Sequence, residues 1–422
     1  MDFIEKNLIG TVIVAIQGIS QKKLVTITDK FIALDVQVKI VPPFDHWIGG
    51  NLKAKQIRQI KIEDLLNRTP ININNPIVQG EVSGKVLMVT GAAGSIGSEI
   101  SRQLSLYDCK SLILIDKAES DLYDLEQELI QKGFTNFDAI LADIGDYVTM
   151  SQIFLKYEPH HIFHAAAYKH VPLMEKYPHE AVKVNVVGTK NIADLSVKYG
   201  VERFVMISSD KAVNPTNVMG ASKRIAELYI NGLGKTSSTK FTTTRFGNVL
   251  GSNGSVVPLF KRQIAAGGPI TVTHKEITRY FMTIPEACSL VLEAGTMGNG
   301  GEIYIFDMGE SIKIYNIAKR MIYLSGLRYP EEIDIKITGL RPGEKLYEEL
   351  LADGENTTKT HHQRIMIAKT QQIEYAMVTK KIDEMSANFK QMNNSELVKS
   401  MKEVVPEYMS NNSEFELLDK VN

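Results

Sequence analysis

A glycine-rich turn, set between a short apolar run and a helical pattern, constrains the fold of this chain more than any other feature. The run is Val86–Thr90, residues 91–97 read GAAGSIG, and residues 98–106 favour a helix. Glycines let the backbone turn tightly and approach a pyrophosphate, which the N–H groups of a helix N-terminus also attract. The spacing GxxGxxG differs from GxGxxG, and a turn that binds nothing is the alternative. The strand before it and the helix after it favour a dinucleotide site.

Residues at the ends of the following strands would complete this site. Asp116 lies about 20 residues beyond the turn, where a carboxylate accepts hydrogen bonds from an adenosine ribose and repels a 2′-phosphate. This favours NAD over NADP as the cofactor, although the positive charge of Lys117 beside it would favour NADP. Asp143 and Ile144 follow a further strand and are well placed to contact adenine. The residues predicted to hold the cofactor are Gly91, Ala93, Gly94, Ser95, Ile96, Gly97, Asp116, Asp143, Ile144, Ala165, Ala166 and Ala167.

Apolar runs alternate with helical patterns from residue 85 onward, which predicts an α/β fold with a doubly wound parallel sheet. One such run is followed by Ser209, Asp210 and Lys211. Ligands bind beyond the carboxyl ends of parallel strands, so a hydroxyl, a carboxylate and an ammonium there could supply a hydrogen bond, an acid and a base. The alternative is a turn in which these side chains only cap the backbone.

Two further pairs of polar residues are candidates for contacting a substrate. Lys169 and His170 follow another apolar run, and a solvated loop is an equal alternative there. Arg279 and Arg341 lie in separate loops. Because guanidinium groups bind phosphate oxygens in pairs, these arginines suit a diphosphate, with surface ion pairs as the alternative.

Composition excludes several classes of protein. The chain has 422 residues, a net charge of -1 and no long basic run, which predicts no nucleic-acid partner. Cys109 and Cys288 make neither a disulfide framework nor a metal site and suit a reducing compartment. No signal peptide is visible, and the apolar run at residues 8–16 is too short to span a bilayer. We therefore expect a cytoplasmic chain that has no metal and makes no membrane contact itself.

Three divisions of the chain are predicted. Residues 1–80 read as a partial α/β unit with a connector, and the cut βαβ pattern suggests that a longer region precedes it. Residues 81–370 would form the catalytic domain, and residues 371–422 a helical or partly disordered tail. The substrate-binding parts are expected mainly in residues 247–280 and 325–370, and helices at residues 180–199 and 346–351.

Six segments carry a resemblance to a known family. They are VTGAAGSIGSEISRQ, HAAAYKHVPLMEKYP, ISSDKAVNPTNVMGASKR, TRFGNVLGSNGSVVP, EITRYFMTIPEA and GLRPGEKLYEELL, in this order over residues 84–368. They resemble the bacterial UDP-N-acetylglucosamine 4,6-dehydratases, the CapD-like polysaccharide biosynthesis family within the extended short-chain dehydrogenase/reductase superfamily. Residues 1–80 resemble part of the nucleotide-binding-like domain of its large members, which usually begin with transmembrane helices. The cytoplasmic face of the inner membrane is thus a second possible location.

The resemblance implies internal redox chemistry on a UDP-sugar. A hydride leaves C4 for NAD, a base removes the C5 proton, the C6 hydroxyl departs with a proton from an acid, and the hydride returns to C6. Lys211 would be the base, with its pKa lowered by burial beside NAD⁺ and Lys223, and Asp210 the acid. Ser209 would bond the C4 oxygen, and Lys223 the nicotinamide ribose. The implied substrate-binding residues are Lys169, His170, Asn248, Arg279, Arg341 and Glu344.

One departure from the superfamily bears on stereochemistry. Its usual Tyr-x-x-x-Lys pair is replaced in this chain by Met219-x-x-x-Lys223, and a thioether cannot take a proton from a hydroxyl. The large members resemble this chain in carrying methionine, whereas C5-inverting relatives keep tyrosine. The resemblance therefore implies retention at C5, and it leaves Asp210 to accept the C4 proton.

Other functions remain open on the sequence alone. A UDP-sugar 4-epimerase and a C5-inverting dehydratase would use the same fold, and a non-catalytic NAD-binding scaffold belongs to a different class. We expect a homo-oligomer, because relatives assemble through helices like residues 180–199. The product would feed bacterial surface polysaccharide or glycan synthesis.

Overall fold

The computed structural model describes residues 2–7, 9–32, 34, 36–42, 44, 53, 56–65, 75–351, 356–369 and 375–419. The chain divides into two units, each assembled from separate segments. The first contains Met1–Pro70, Asn248–Thr283 and Glu310–Gly339, and the second contains Ile71–Gly247, Ile284–Gly309 and Leu340–Asn422. Within the described residues, no helix is long and apolar enough to cross a membrane.

Strands and helices alternate along much of the chain. The strands are β1 (Thr11–Val14), β2 (Gln37–Ile40), β3 (Arg58–Gln59), β4 (Val86–Thr90), β5 (Ser111–Asp116), β6 (Phe137–Leu141), β7 (His161–His164), β8 (Arg203–Ile207), β9 (Lys240–Arg245), β10 (Asn248–Val249), β11 (Ile270–Val272), β12 (Thr278–Arg279), β13 (Phe281–Met282), β14 (Glu302–Phe306), β15 (Ile312–Lys313), β16 (Ile335–Ile337), β17 (Asn356–Lys359) and β18 (Ile365–Lys369). The helices are α1 (Asp2–Lys6), α2 (Gln21–Ile32), α3 (Pro76–Val82), α4 (Ser95–Leu104), α5 (Glu119–Gln131), α6 (Tyr147–Tyr157), α7 (Val171–Lys176), α8 (Pro178–Ala181), α9 (Thr189–Lys198), α10 (Val218–Thr236), α11 (Val256–Ala265), α12 (Ile284–Met297), α13 (Ile314–Leu324), α14 (Tyr375–Asn388) and α15 (Asn394–Val404).

A nine-stranded sheet forms the centre of the second unit, in the order β17-β18-β14-β9-β8-β7-β4-β5-β6. From β14 to β6 all neighbouring strands are parallel, and β18 and β17 add an antiparallel edge. Every residue of β4 is buried, as is usual for a parallel strand covered on both faces. The predicted doubly wound α/β fold is therefore confirmed.

The strand order reverses beside β4. The chain runs from β4 through β5 to β6, and then continues on the other side of β4 through β7, β8 and β9. In open α/β sheets, ligands bind outside the carboxyl ends of the strands at such a reversal. The turn after β4 and the residues after β7 and β8 therefore belong to the region where a ligand is expected.

Residues 178–198 form one continuous helical run, which agrees with the helix predicted at residues 180–199. α8 and α9 are joined by a π-helical stretch, Val182–Gly188. A Cβ at Gly188 would lie 2.6 Å from Cδ1 of Ile144, so a larger residue there would require the Ile144 side chain to move. The wider π-helical turn thus occurs where the helix faces the predicted adenine contact.

The C-terminal residues 375–419 pack against the core of the second unit and contain two helices, the first of the two alternatives that the sequence offered for this tail. Helices α14 and α15 contact α10 and each other. The sequence is rich in polar residues, but its apolar side chains recur at helical spacing and become buried: Val378, Ile382, Met385, Leu397, Val398 and Met401. Beyond α15, Met409 N donates to Pro215 O at 3.1 Å and Asn411 N to Thr216 O at 3.2 Å.

An irregular loop replaces the helix predicted at residues 346–351. At its start, the carbonyl of Gly343 accepts hydrogen bonds from Asn217 Nδ2 at 2.9 Å and Thr216 Oγ1 at 3.0 Å. Lys345 Nζ donates to Val213 O at 3.1 Å. These contacts with a distant part of the chain outweigh the helix propensity of the sequence LYEELL.

The first unit contains a three-stranded sheet, β1-β2-β3, and three two-stranded pairs, β10–β13, β11–β16 and β12–β15. Helix α13 contacts both α2 and β2, and Arg320 of α13 bonds the carboxylate of Asp29 of α2 at 2.8 and 3.0 Å. Residues 1–70 therefore form one unit with later segments, which differs from the predicted division at residue 80.

A buried ion network joins β9, α10 and the end of β8 in the second unit. The Glu227 carboxylate accepts bonds from Arg245 Nε at 2.8 Å and Nη2 at 2.7 Å, and from Ser208 Oγ at 2.7 Å. Arg224 Nη1 adds a bond at 3.2 Å. The side chains of Glu227 and Arg245 have no exposed surface. Burial alone would raise the pKa of Glu227, but the two arginines and the serine hydroxyl hold it below its usual value.

We expect Glu227→Gln to lower the free energy of unfolding by about 3 kcal/mol or more, because Arg245 would remain buried without its counter-charge. Chemical denaturation of the purified protein measures this loss.

Glu202→Gln is the matched control. Glu202 pairs with Lys85 at 2.7 Å, but 47% of its side chain is exposed, so this change should alter the free energy of unfolding by less than about 1 kcal/mol. Equal losses in the two variants would contradict the importance of the buried network.

Candidate active site

The glycine-rich turn after β4 has no room for side chains at two of its glycines. Gly91 has a φ of +69°, and a Cβ there would lie 2.5 Å from the backbone nitrogen of Ala166. A Cβ at Gly97 would lie 2.0 Å from Gly91 O. Gly94 is the N-cap of α4 and has no side chain that could bond the N–H groups of the first turn. The turn is therefore a narrow cradle at a helix N-terminus, which suits a phosphate.

Asp116 is fixed at the mouth of this cradle. Its Oδ2 accepts a hydrogen bond from Ala93 N and its Oδ1 from Ala118 N, both at 2.9 Å. Lys117, which weighed against NAD in the sequence, directs its Nζ to Tyr168 Oη at 2.6 Å and lies 3.7 Å from Asp143 Oδ2. The charge of Lys117 is therefore engaged by its own neighbours.

Buried hydrogen bonds support the residues that follow β7. His164 Nδ1 lies 2.7 Å from Thr90 Oγ1, and its Nε2 lies 2.9 Å from Thr189 Oγ1. Burial lowers the pKa of His164 to about 3, so this ring is neutral. Ala165 N donates to Thr90 O at 2.9 Å, which holds the predicted alanine segment, residues 165–167, beside the glycine-rich turn. The sequence did not identify this histidine as a supporting residue.

Ser209, Asp210 and Lys211 form a connected cluster just beyond β8. Ser209 Oγ donates to Asp210 Oδ1 at 2.8 Å, and Lys211 Nζ lies 3.0 Å from the same oxygen. Asp210 has no exposed surface, and the described residues offer no hydrogen bond to its Oδ2. A buried carboxylate oxygen without a donor is costly. Oδ2 is thus the oxygen of this carboxylate whose capacity to accept a hydrogen bond is unused among the described residues.

Glu348 joins this cluster from the irregular loop, and the sequence did not single it out. Its Oε1 lies 3.5 Å from Lys211 Nζ, and only 3% of its side chain is exposed. The only signal in the sequence was its place in the segment GEKLYEELL, which was interpreted as a helix. The ammonium of Lys211 therefore lies between two buried carboxylates, those of Asp210 and Glu348.

Met219 and Lys223 lie one helical turn apart in α10, and both are buried. Lys223 Nζ donates to Ile207 O at 2.6 Å. Burial lowers the pKa of Lys223 to about 8, although Glu227 opposes this shift. The amine is therefore positively charged at neutral pH but readily loses its proton above it.

The predicted substrate-binding residues of the second unit are more open. Lys169 and His170 are exposed, yet partial burial and nearby positive charge lower the pKa of both. Lys211 contributes to the shift of Lys169, and Arg341 to that of His170. Arg341 is 56% exposed and forms an ion pair with Glu344 at 3.0 Å. The positive charges of Lys211 and Arg341 therefore lie close enough to influence Lys169 and His170.

Asn248 and Arg279 belong to the first unit. Asn248 begins β10, and its backbone N donates to Tyr280 O at 3.1 Å. Arg279 lies in β12, where its side chain is buried and Nη1 donates to Thr278 O at 2.7 Å. Both residues lie on the short parallel and antiparallel strand pairs of that unit. Their roles stay predictions.

Sequence similarity extends over most of this chain. It is 48% identical over 371 residues to the probable polysaccharide biosynthesis protein EpsC of Bacillus subtilis (strain 168), which covers 87% of this chain and 62% of that protein. The chain thus spans less than two thirds of this relative's length.

More distant relatives have two different names. The chain is 34% identical to a UDP-glucose 4-epimerase of Rickettsia rickettsii, over 64% of this chain and 79% of that protein. It is 32% identical to a UDP-N-acetylglucosamine 4,6-dehydratase (inverting) of Campylobacter jejuni, over 65% of this chain and 79% of that protein. The two identities are too close to choose between these activities.

A solved structure and a family model agree with the fold. The X-ray structure of Pen from Bacillus thuringiensis aligns with a TM-score of 0.63 and 32% identity, over 70% of this chain and 90% of that one. The family model described as "Polysaccharide biosynthesis protein" matches residues 87–370. The chain therefore belongs to the polysaccharide biosynthesis protein family and has the extended short-chain dehydrogenase/reductase fold.

Proposed function

We propose that this protein catalyses the NAD-dependent 4,6-dehydration of UDP-N-acetylglucosamine with retention at C5. The observation that carries the proposal is the cluster after β8, where the buried carboxylate of Asp210 and the ammonium of Lys211 lie 3.0 Å apart at the edge of the sheet where ligands bind. Elimination across C5 and C6 needs an acid and a base held side by side, and this cluster supplies both.

The residues of the glycine-rich turn fit NAD. A Cβ would fill the cradle at Gly91 or Gly97, and the carboxylate of Asp116 is held where a ribose with free hydroxyls is favoured over a 2′-phosphate. When bound, NAD supplies the hydride acceptor for C4 and the hydride donor for C6. Lys223, buried beside the end of β8, would bond the nicotinamide ribose.

Asp210 would move a proton from one substrate hydroxyl to another. Its carboxylate would accept the proton of the C4 hydroxyl as the 4-ketone forms. The neutral acid would then give this proton to the C6 hydroxyl, which leaves as water. The proton that Asp210 takes up in the first step is thus the one that it gives up in the second. This suits a site in which Met219 replaces the usual tyrosine and cannot accept a proton itself.

Lys211 would remove the C5 proton and, after its amine has exchanged with solvent, deliver a proton to the same face of that carbon. As Asp210 becomes neutral, the ammonium of Lys211 loses one of the two carboxylate charges described beside it and releases a proton to solvent more readily. The neutral amine can then take the C5 proton. A single base on one face of the sugar accounts for retention at C5. Ser209 would bond the C4 oxygen, and Lys169, His170, Arg341 and Glu344 would bind the UDP moiety.

A UDP-sugar 4-epimerase is the second candidate, because one relative of similar identity has that name. Epimerisation at C4 needs no acid and base for loss of the C6 hydroxyl, so the buried pair formed by Asp210 and Lys211 favours the dehydratase.

Proton NMR of the protein with UDP-N-acetylglucosamine in D₂O, without added NAD, tests the proposal. We expect a new 6-methyl signal from a 4-keto sugar that carries deuterium at C5, with couplings that show retention. A 4-epimer without a methyl signal would establish the epimerase, and a C5-inverted product would refute retention.

Lys211→Met should lower turnover by at least about 100-fold, because the base at C5 would be lost. The bound NAD content, measured as nucleotide released on denaturation, should not change. Lys132→Met is the matched control, since Lys132 lies just beyond α5 with 55% of its side chain exposed. Full activity of Lys211→Met would exclude this lysine as the base.

The lowered pKa of Lys223 predicts a pH-dependent stability. Its folded pKa of about 8 lies below the ordinary value of 10.5, so above pH 8 the unfolded chain binds more protons and stability rises with pH. Relative to Lys223→Met, the cofactor-free protein should gain roughly 2 kcal/mol of unfolding free energy between pH 7 and 9.5. Urea denaturation of both proteins at both pH values measures the difference. If the unfolding free energy changed equally with pH in the parent and in Lys223→Met, a charged, buried Lys223 would be contradicted.

A further inference from the structure

The loop that carries Glu348 is attached to the chain segment that immediately follows Lys211. Gly343 O accepts bonds from Thr216 and Asn217, and Lys345 Nζ donates to Val213 O at 3.1 Å. Gly343 itself cannot be replaced without strain, because it has a φ of +74° and a Cβ would lie 2.4 Å from Cβ of Asn217. The loop therefore has a defined position relative to Lys211.

Two consecutive glutamates of this loop have opposite environments. The side chain of Glu348 is 3% exposed and lies 3.5 Å from Lys211 Nζ. The side chain of Glu349 is 48% exposed and pairs with Lys345 at 2.9 Å. A buried carboxylate is costly unless it is paired with a positive charge, so the charge of Glu348 is matched to that of Lys211.

We propose that Glu348 is a positioning residue for Lys211, which holds this lysine beside Asp210 and controls how readily its amine loses a proton. The proposal rests on the proposed role of Lys211 as the base at C5. During that reaction Asp210 changes charge as it takes up and releases a proton. Of the two carboxylates beside Lys211, Glu348 is the one that keeps its charge, so it keeps the lysine in place throughout.

The pH dependence of Lys211 labelling tests this without any turnover. The protein is treated with trace acetic anhydride at a series of pH values, and acetylation of Lys211 is measured by mass spectrometry. In Glu348→Gln, the midpoint of the labelling curve should fall by about one pH unit, because a nearby negative charge is removed. In Glu349→Gln, the matched control, the midpoint should not move. An unchanged midpoint in Glu348→Gln, or an equal shift in both variants, would overturn the proposal.

Steady-state kinetics adds a readout that a purely structural role would not change. In Glu348→Gln, the acidic limb of the kcat profile should move to lower pH by about the same amount as the labelling midpoint, with KM within about twofold of the parent. Glu348→Asp keeps the charge but places it farther from the amine, so its acidic limb should lie between those of the parent and of Glu348→Gln. A uniform loss of kcat at every pH would indicate a structural role only and refute the proposal.

These experiments separate the two proposals. If the parent protein forms no 4-keto product, the proposed function fails, and the labelling curves still test the link between Glu348 and Lys211. If turnover is normal but neither the labelling midpoint nor the kcat limb shifts, the role of Glu348 fails alone. If Glu348→Gln does not fold, Glu348→Asp must still shift the midpoint downward by a smaller amount, and an unshifted midpoint would refute the proposal.

Discussion

The buried ion pair between Glu227 and Arg245 is the interaction on which the rest of the candidate site depends. It joins the carboxyl end of β9 to the first half of α10, and through Ser208 it also fixes the residue that precedes the cluster after β8. A carboxylate without exposed surface is tolerated only because Arg245, Arg224 and Ser208 surround it. The positions of Lys223 and of Asp210 are therefore both tied to a pair of charges that has no exposed surface.

Most of the fold was predictable because buried parallel strands have a simple signature. The runs that became β4, β5, β7 and β8 are short, apolar and bounded by polar or glycine residues, and the turn at residues 91–97 indicated which strand begins the sheet. The C-terminal region was harder, because Val378, Ile382 and Met385 are spread among many lysines and glutamates. Their spacing marked a buried helical face, but the polar composition obscured it. The irregular loop was misread for the opposite reason: strong helix formers such as those of LYEELL do not form a helix when tertiary bonds hold the backbone elsewhere.

The candidate site could be predicted only as far as local sequence order extends. Ser209, Asp210 and Lys211 are consecutive, and the residues of the glycine-rich turn are nearly so, which made both groups visible. Glu348 is far from Lys211 in the sequence, and nothing local distinguishes it from Glu349. His164 was hidden in a buried strand, where its hydrogen bonds to Thr90 and Thr189 could not be anticipated. Similarity to relatives identifies the family, and the proposed chemistry rests on these side chains.

The attachment of the last part of the chain has a consequence for the order in which the protein is completed during synthesis. Met409 and Asn411 bond Pro215 and Thr216, and Gly343 N donates to Asn411 O at 2.7 Å. The glycine-rich turn and its neighbouring strands lie within the first half of the chain and can form while the ribosome is still translating. The loop that brings Glu348 to Lys211 receives its final contacts only after residue 411 has left the exit tunnel. A nascent chain would thus form its glycine-rich turn early and bring Glu348 beside Lys211 only later.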